Sequence, residues 1–429
     1  MKKLFTFLVV GLFTLSALAK TTYYVKTNGS DTDEGTSWET AFATLAKANT
    51  VAVSGDDVCF AAGTYTFTTH ERIQKSYNIR GSFNAQGVQD YAVKTIFDGN
   101  NATRILLVSN AGGAQITVGL DGISFRNANS AGNSGAACFD KAIGIITNCE
   151  FINNRTANYN GGGLAFLNGK DVANIITNCL FAGNSGIWGG ALFAGSNEIV
   201  KVTNCTFANN SAVGGTAPQG GAIFCNGFLT LANNVMYGNV MGEVNYQIAN
   251  SNGTTATLAA NTNIIQNSLT GYAGTITYTN DAFTDAYDGN PLFIDATNGD
   301  FHLQSSSPAV DYGNGDLVPV GITTDLDGKP RFFNDLVDLG CYEFQGLTGI
   351  ERVNSTNSFK AYFNSTRNNL IVDLISPVKY IVLSDLAGKN IITKDIAGTE
   401  DKVSFDLKNL SKGIYLLSAG SFTQKLIVY

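Results

Sequence analysis

The sequence predicts an all-β chain, a parallel β-solenoid followed by a small antiparallel β-sandwich. Three observations predict it. Near-copies of one string recur, "TNCEFINNRT" at 147–156, "TNCLFAGNSG" at 177–186 and "TNCTFANNSA" at 203–212. A glycine-led string recurs between them, "SGAAC" at 134–138, "GGLAF" at 162–166, "GGALF" at 189–193 and "GGAIF" at 220–224. Six short strand-like runs then crowd the last sixty-odd positions, from "LIVDLI" (370–375) to "TQKLIVY" (423–429).

The N-terminus reads as a secretory leader over 1–19. Lys2 and Lys3 precede the apolar "LFTFLVVGLFTLSALA", and Ala17-Leu18-Ala19 offers a small-residue cleavage site. No later apolar run reaches membrane-spanning length. Forty-seven glycines, six prolines and 14% charged residues are unusual for a globular enzyme, in which about a quarter are charged. A net charge of −7 argues against nucleic acid, which requires clustered Lys and Arg. Seven cysteines are too few for a disulfide scaffold in 429 residues.

Between the leader and residue 345 the chain is read as one solenoid domain, 20–345. Its N-terminal cap lies at about 22–57. The strand-and-helix signals there centre on "TSWETAFATLAKA" (36–48), which predicts a helix opened by a Thr36–Glu39 capping box. Trp38, Phe42 and Leu45 then share one face, suited to covering the open end of a solenoid.

The repeats define the body. Cys149, Cys179 and Cys205 are 30 and 26 residues apart, and Phe151, Phe181 and Phe207 follow each by two. Gly135, Gly163, Gly190 and Gly221 mark the second string, 28, 27 and 31 apart. One period is one turn of a coil, whose turns stack as parallel strands about 4.8 Å apart. Like residues then superpose. Asn148, Asn178 and Asn204 are expected to form an amide ladder, and the three phenylalanines an internal stack. Glycine fits where the chain turns sharply or another backbone comes close. The stacked cysteines read either as buried small hydrophobes or as one disulfide; three in a row cannot all pair.

After the last rung, about 281–345 reads as an irregular, acidic C-terminal cap, with eleven Asp and Glu343 against Lys329 and Arg331. Residues 346–365 read as a polar linker. Residues 366–429 form the last domain, with turns at Ala387-Gly388-Lys389 and Ser411-Lys412-Gly413 and clear alternation at Val403, Phe405 and Leu407.

Two resemblances join these readings. "YYVKTNGSDTDEGTSWETAFATLAKA", the rungs, and the ending "GDFHL…SPAVDYG…DLDGKPR…VDLGCYEF" resemble secreted bacterial right-handed parallel β-helix proteins. The rungs are similar to the repeats of polymorphic outer-membrane proteins. This implies a right-handed parallel β-helix over roughly 22–345 and, for many such proteins, a surface or adhesin-like role. "SDLAGK" (384–389), "DLKNLSKGIYLL" (406–417) and "KLIVY" (425–429) resemble the C-terminal sorting domain of type IX secretion. That resemblance implies passage through the periplasm and outer membrane, with the type IX machinery as partner, and a secreted or surface-attached product. An ordinary carbohydrate-binding or Ig-like module is the other reading of this segment.

Catalytic chemistry finds little support in the sequence, and no catalytic residue is assigned. Glycoside hydrolysis needs two carboxyls about 5–10 Å apart, yet Asp121, Asp140, Glu150, Asp171 and Glu198 sit at scattered offsets. His70 and His302 have no Cys or His at metal spacing. "GNSG" at 132–135 and 183–186 reads as turns. Arg155, Tyr159 and Asp171 are the residues a cleft could use, but nothing in the pattern brings them together. No cofactor is expected. For a metal, Asp325 and Asp327 are candidate calcium ligands, the bland alternative being solvated Asx turns; Asp31 and Asp33 are weaker candidates of the same kind. Three functions compete: a non-catalytic adhesin, glycan-contact or coat protein; a polysaccharide lyase or glycoside hydrolase; and a plain spacer.

Overall fold

Superposition of the repeats is what the fold delivers. Phe125, Phe151, Phe181 and Phe207 pair in register. Their rings stack at 5.0, 4.7 and 4.6 Å with planes 9°, 3° and 1° apart. Each ring is fully buried, which contributes about 2–3 kcal/mol of transfer free energy apiece. The structure, a computed structural model, describes residues 20–345 except 111, 170, 215–218, 251–256, 268–271, 274–276, 279–285, 288 and 334. It also describes residues 359–428 except 364–368, 375–376, 386, 397–401, 408–409, 412 and 421. The leader at 1–19 and much of the linker therefore lie outside the described residues, as do Asp281, Asp285 and Asp288. The chain divides into two compact units, Met1–Gln345 and Gly346–Tyr429.

The first unit is a parallel β-solenoid. Among the described residues, its first sheet has ten strands running in order from Thr22–Val25 to Thr277–Tyr278; its second has nine, from Gly63–Thr66 to Ala286–Tyr287. The third has eight, from Glu71–Ile73 to Tyr272–Ala273. A fourth is a row of five two-residue strands, among them Arg155–Thr156, Ser185–Gly186 and Ser211–Ala212.

The amide ladder exists, but on the other asparagine of each rung. Asn154 Nδ2 donates to Asn184 Oδ1 (3.0 Å), Asn184 to Asn210 (2.9 Å), Asn210 to Asn239 (2.7 Å) and Asn239 to Gln247 (2.6 Å). Each of these Oδ1 atoms on Asn184, Asn210 and Asn239 also accepts the backbone N–H of the preceding rung's asparagine. Asn148, Asn178 and Asn204 instead turn the corner between the first two sheets. Their φ angles are 51°, 58° and 51°, the left-handed region that asparagine tolerates better than most residues. Of the expected ladder only the Asn178-to-Asn148 bond (2.6 Å) is present.

The cysteines stack as free thiols. Cys149 N donates to Cys179 Sγ and Cys179 N to Cys205 Sγ, both at 3.4 Å, while Cys205 N donates to Asn234 Oδ1 at 2.9 Å. The thiols thus hold the acceptor position that Asn234 holds on the next turn. The glycine row also shifts. Gly135, Gly162, Gly190 and Gly221 are the equivalent set, because a Cβ on any of them would strike the backbone of the following turn. Gly163 belongs with the alanines, since Leu164 pairs with Ala137 and Leu192.

Two elements differ from expectation. The helix is Leu45–Val51, capped by Thr44, whose side chain accepts from Lys47 N. Residues 36–43 are not helical, because Phe42 is pinned to the first strand: Phe42 N donates to Tyr24 O and Lys26 N to Phe42 O. The acidic segment, read as an end cap, packs where it is described against the side of the solenoid. From Pro291 to Gln345 it forms a strap along the flank, starting with the hairpin Phe293–Asp295 and Asp300–Leu303. It covers the outward row Leu180, Val235 and Ile264 of the second sheet with Phe301, Leu326, Leu339 and Tyr342. Lys94 Nζ, far back along the coil, donates to Leu326 O at 3.3 Å.

The second unit contains antiparallel sheets of three and four strands. Leu370, Val372, Val403 and Phe405 from one and Ile381, Leu383 and Leu417 from the other share a single core. The first described strand of this unit, Phe359–Phe363, lies within the stretch that the sequence reads as linker.

Candidate functional site

Three places on the solenoid carry polar or aromatic groups worth testing as sites. The first is the strap. Asp325 is buried, and both its oxygens face backbone donors: Oδ1 accepts from Asp327 N (3.0 Å) and Lys329 N (2.8 Å), Oδ2 from Glu343 N (2.9 Å). Asp327 Oδ2 binds His302 Nε2 at 2.8 Å and Lys329 Nζ at 3.3 Å. His302 Nδ1 meets Asp300 Oδ1 at 2.6 Å, and its ring lies on Tyr342 at 4.0 Å. The Asp327 hydrogen bond, opposed by burial and aided by Asp300, holds His302 above the ordinary histidine range. Burial pushes Asp327 up, but His302 and Lys329 outweigh it and bring it to about 2. A calcium ion would have to displace these donors. Among the described residues no group of three or more His, Cys, Asp or Glu is arranged to hold a metal.

Below them Arg331 is fully buried. It binds Glu343 Oε2 through Nη2 (2.6 Å) and Nε (3.2 Å), and Nη1 reaches Asn178 Oδ1 (3.2 Å) and Gly340 O (3.0 Å). Asp325, Asp338 and Glu343 give this hub three buried carboxyls against one guanidinium. Burial pushes Asp338 and Glu343 upward.

The second place is a knot of ionised groups beside the strap, where Lys94 also reaches Leu326 O, and the sequence offsets concealed it. Glu150 is buried, with Lys94 Nζ 3.0 Å from Oε1, Arg126 Nη2 3.0 Å from Oε2 and Ser124 Oγ donating at 2.7 Å. Burial pushes the Glu150 carboxyl up, but Lys94, Ser124 and Arg126 together bring it below its ordinary value. Nearby Asp121 accepts from Tyr91, Gln89 and Asn148. The legible signal was Glu150 itself, an acid in the slot that holds Leu180 and Thr206 on the next turns.

The third place lies on the loops that fold over the third sheet. Its outward row, Cys138, Ala165, Phe193, Phe224 and Ala249, is buried beneath Trp188, which stacks on Phe224 at 5.1 Å. Ile187 N donates to Tyr159 O (2.8 Å), Gln219 N to Ile187 O (3.0 Å) and Gly221 N to Tyr246 O (2.7 Å), so consecutive loops are tied edge to edge. The outcome is a ridge on which Tyr159 is 44% exposed, Val213 41% and Val244 52%, with Trp188 and Tyr246 half-buried. Asn158 and Asn160 lie on the same loop as Tyr159, and Arg155 lies just before it in the strand Arg155–Thr156, with Arg155 and Asn158 exposed.

Of the remaining candidates, Arg155 and Tyr159 are both exposed and four positions apart, whereas Asp171 sits at the turn between the third and first sheets. His70 is exposed, and burial with nearby Arg104 and Arg72 lowers its pKa. Asp31 anchors a loop, accepting from Ala43 N, Thr44 N and Thr44 Oγ1; Asp33 is exposed. The two "GNSG" strings do not superpose: Ser134 Oγ donates to Ala137 O and Gly163 O in a turn, while Ser185 pairs in the fourth sheet.

Comparison with known proteins adds the following. Among solved structures, the chain is similar to pectate lyase Pel9A at 14% identity, covering 76% of this chain and 96% of that one with a TM-score of 0.30. It is also similar to a rhamnogalacturonan lyase at 14% identity, covering 64% and 90% with a TM-score of 0.24. No curated protein matches. Residues 360–429 match the family model for the secretion system C-terminal sorting domain, Por_Secre_tail. The protein therefore carries a type IX sorting tail and is secreted by that system, to the cell surface or beyond it.

Proposed function

We propose that the exported solenoid is a non-catalytic, adhesin-like contact protein that binds extended extracellular polysaccharide along its loop ridge. The observation that carries this is one row of loops in which Tyr159 and Trp188 lie on neighbouring turns and Tyr246 two turns beyond Trp188, past the loop of Gln219. Rings one and then two stacking repeats apart, at about 4.8 Å per turn, offer apolar platforms to the C–H faces of sugars along one chain. Asn158, Asn160 and Arg155 beside them supply donors and acceptors for hydroxyls. Many weak contacts along one polymer give avidity without a deep pocket.

The test is retention of the mature chain on a panel of insoluble polysaccharides, beside a Tyr159→Ala/Tyr246→Ala double variant. Binding to at least one polymer that falls at least about tenfold in the variant, a difference of about 1.4 kcal/mol, supports the reading. Equal retention of both proteins sinks it.

The alternative, a polysaccharide lyase or glycoside hydrolase, has one observation in its favour: Lys94 and Arg126, both partly exposed, converge on Glu150. New reducing ends or absorbance at about 235 nm, abolished by Lys94→Ala, would favour it.

A further inference from the structure

The corner asparagines under the strap are not treated alike. Asn178 Nδ2 donates to Thr324 O (3.0 Å) and its Oδ1 accepts from Arg331. Asn233 Nδ2 donates to Asn314 O and its Oδ1 accepts from Asn314 N, both at 2.9 Å. Asn204 lies on the turn between them, with the same left-handed backbone and no exposed surface. Neither its Oδ1 nor its Nδ2 has a protein partner among the described residues.

A third orphan belongs to the same hub. Glu343 Oε1 is buried and unpartnered among the described residues, although Oε2 holds Arg331. Arg331 connects the two places, since it also reaches Asn178, one turn from Asn204. Gly340 closes the other side: its N donates to Asn233 O, and a Cβ on it would meet Thr206 Oγ1 at 2.6 Å. Each buried polar atom left unpaired costs about 1–3 kcal/mol. Three in an interface bonded this closely elsewhere call for a partner from outside the chain.

We propose that the strap encloses ordered water at this corner, one or two molecules bound by the Asn204 amide and the open oxygen of Glu343. Water suits all three atoms. It accepts from Nδ2 and donates to Oδ1 and Oε1, matching the roughly three bonds a buried water makes. A cation suits them less well, because Nδ2 is a donor and the Arg331 guanidinium occupies the same hub. The strap is then seated on the solenoid through solvent at its centre and through direct bonds on either side.

A crystal structure of the mature chain that orders internal solvent tests this, with a second crystal soaked in thallium(I). The expected result is enclosed density within hydrogen-bond distance of Asn204 and of Glu343 Oε1, without an anomalous peak. An anomalous peak there, a corner without density, or an Asn204 amide bonded directly to the strap would each overturn the proposal.

Discussion

Replacing Asn184 by alanine probes the ladder where it is best enclosed. Asn184 Oδ1 accepts from Asn154 N (3.1 Å) and Asn154 Nδ2 (3.0 Å), and its Nδ2 donates to Phe151 O (2.8 Å) and Asn210 Oδ1 (2.9 Å). Truncation breaks all four bonds. Asn154 Nδ2 keeps Phe125 O and Asn210 Oδ1 keeps Asn184 N. Asn154 N, which faces only that side chain, is orphaned. An orphaned buried donor costs about 1–3 kcal/mol and each of the three further net bonds about 1 kcal/mol, so the expected loss is about 4–6 kcal/mol. Urea unfolding of the mature chain, followed by tryptophan fluorescence, reads it, because Trp188 lies on the same turn four residues on. Asn158→Ala, on an exposed loop, is the control and should stay within about 0.5 kcal/mol. A loss below about 1 kcal/mol for Asn184→Ala would mean that the ladder is geometry without energy.

Other perturbations address the strap and the thiols. Arg331→Leu leaves Glu343 without its buried partner, a change worth about 3–5 kcal/mol. Native-state labelling with a thiol reagent should then reach Cys341, which is buried in the intact strap; continued protection would show that Arg331 does not hold it. His302 has a folded pKa above its ordinary value of about 6.5, so its contribution is full below that pH and is lost as pH rises through the folded value. Asp327, held at about 2, contributes above its ordinary pKa and loses that contribution only as pH falls through about 2. His302→Ala should therefore lower the melting temperature more at about pH 5 than at about pH 9; an equal drop at both would remove the ion-pair account. Under denaturing, non-reducing conditions all seven cysteines should titrate as thiols, and five or fewer would reveal a disulfide.

The solenoid was legible because its period places like residues in contact, and a period can be read without coordinates. What the period could not say is which asparagine of "N-C-x-F-x-x-N" turns the corner and which bonds its neighbour, since the amide suits both tasks. The glycine row slipped for a related reason: Gly161, Gly162 and Gly163 form a run in which any register of the string looks alike. The capping box at Thr36 failed because a local helix signal lost to Phe42 bridging Val25. The strap has no period at all. Its place on the flank depends on Arg331 meeting Asn178, 153 positions away. The aromatic ridge was equally hidden, for Tyr159, Trp188 and Tyr246 follow their ladder residues Asn154, Asn184 and Asn239 by five, four and seven positions. Only folding brings them to one row of loops.

The most direct test is a single incubation of the mature chain with a polysaccharide panel, read for both the bound fraction and new chain ends. The ridge account predicts retention that depends on Tyr159 and Tyr246 while the polymer stays intact. Cleavage of any bound polymer, lost when Lys94 is replaced and kept when the two tyrosines are, would contradict it.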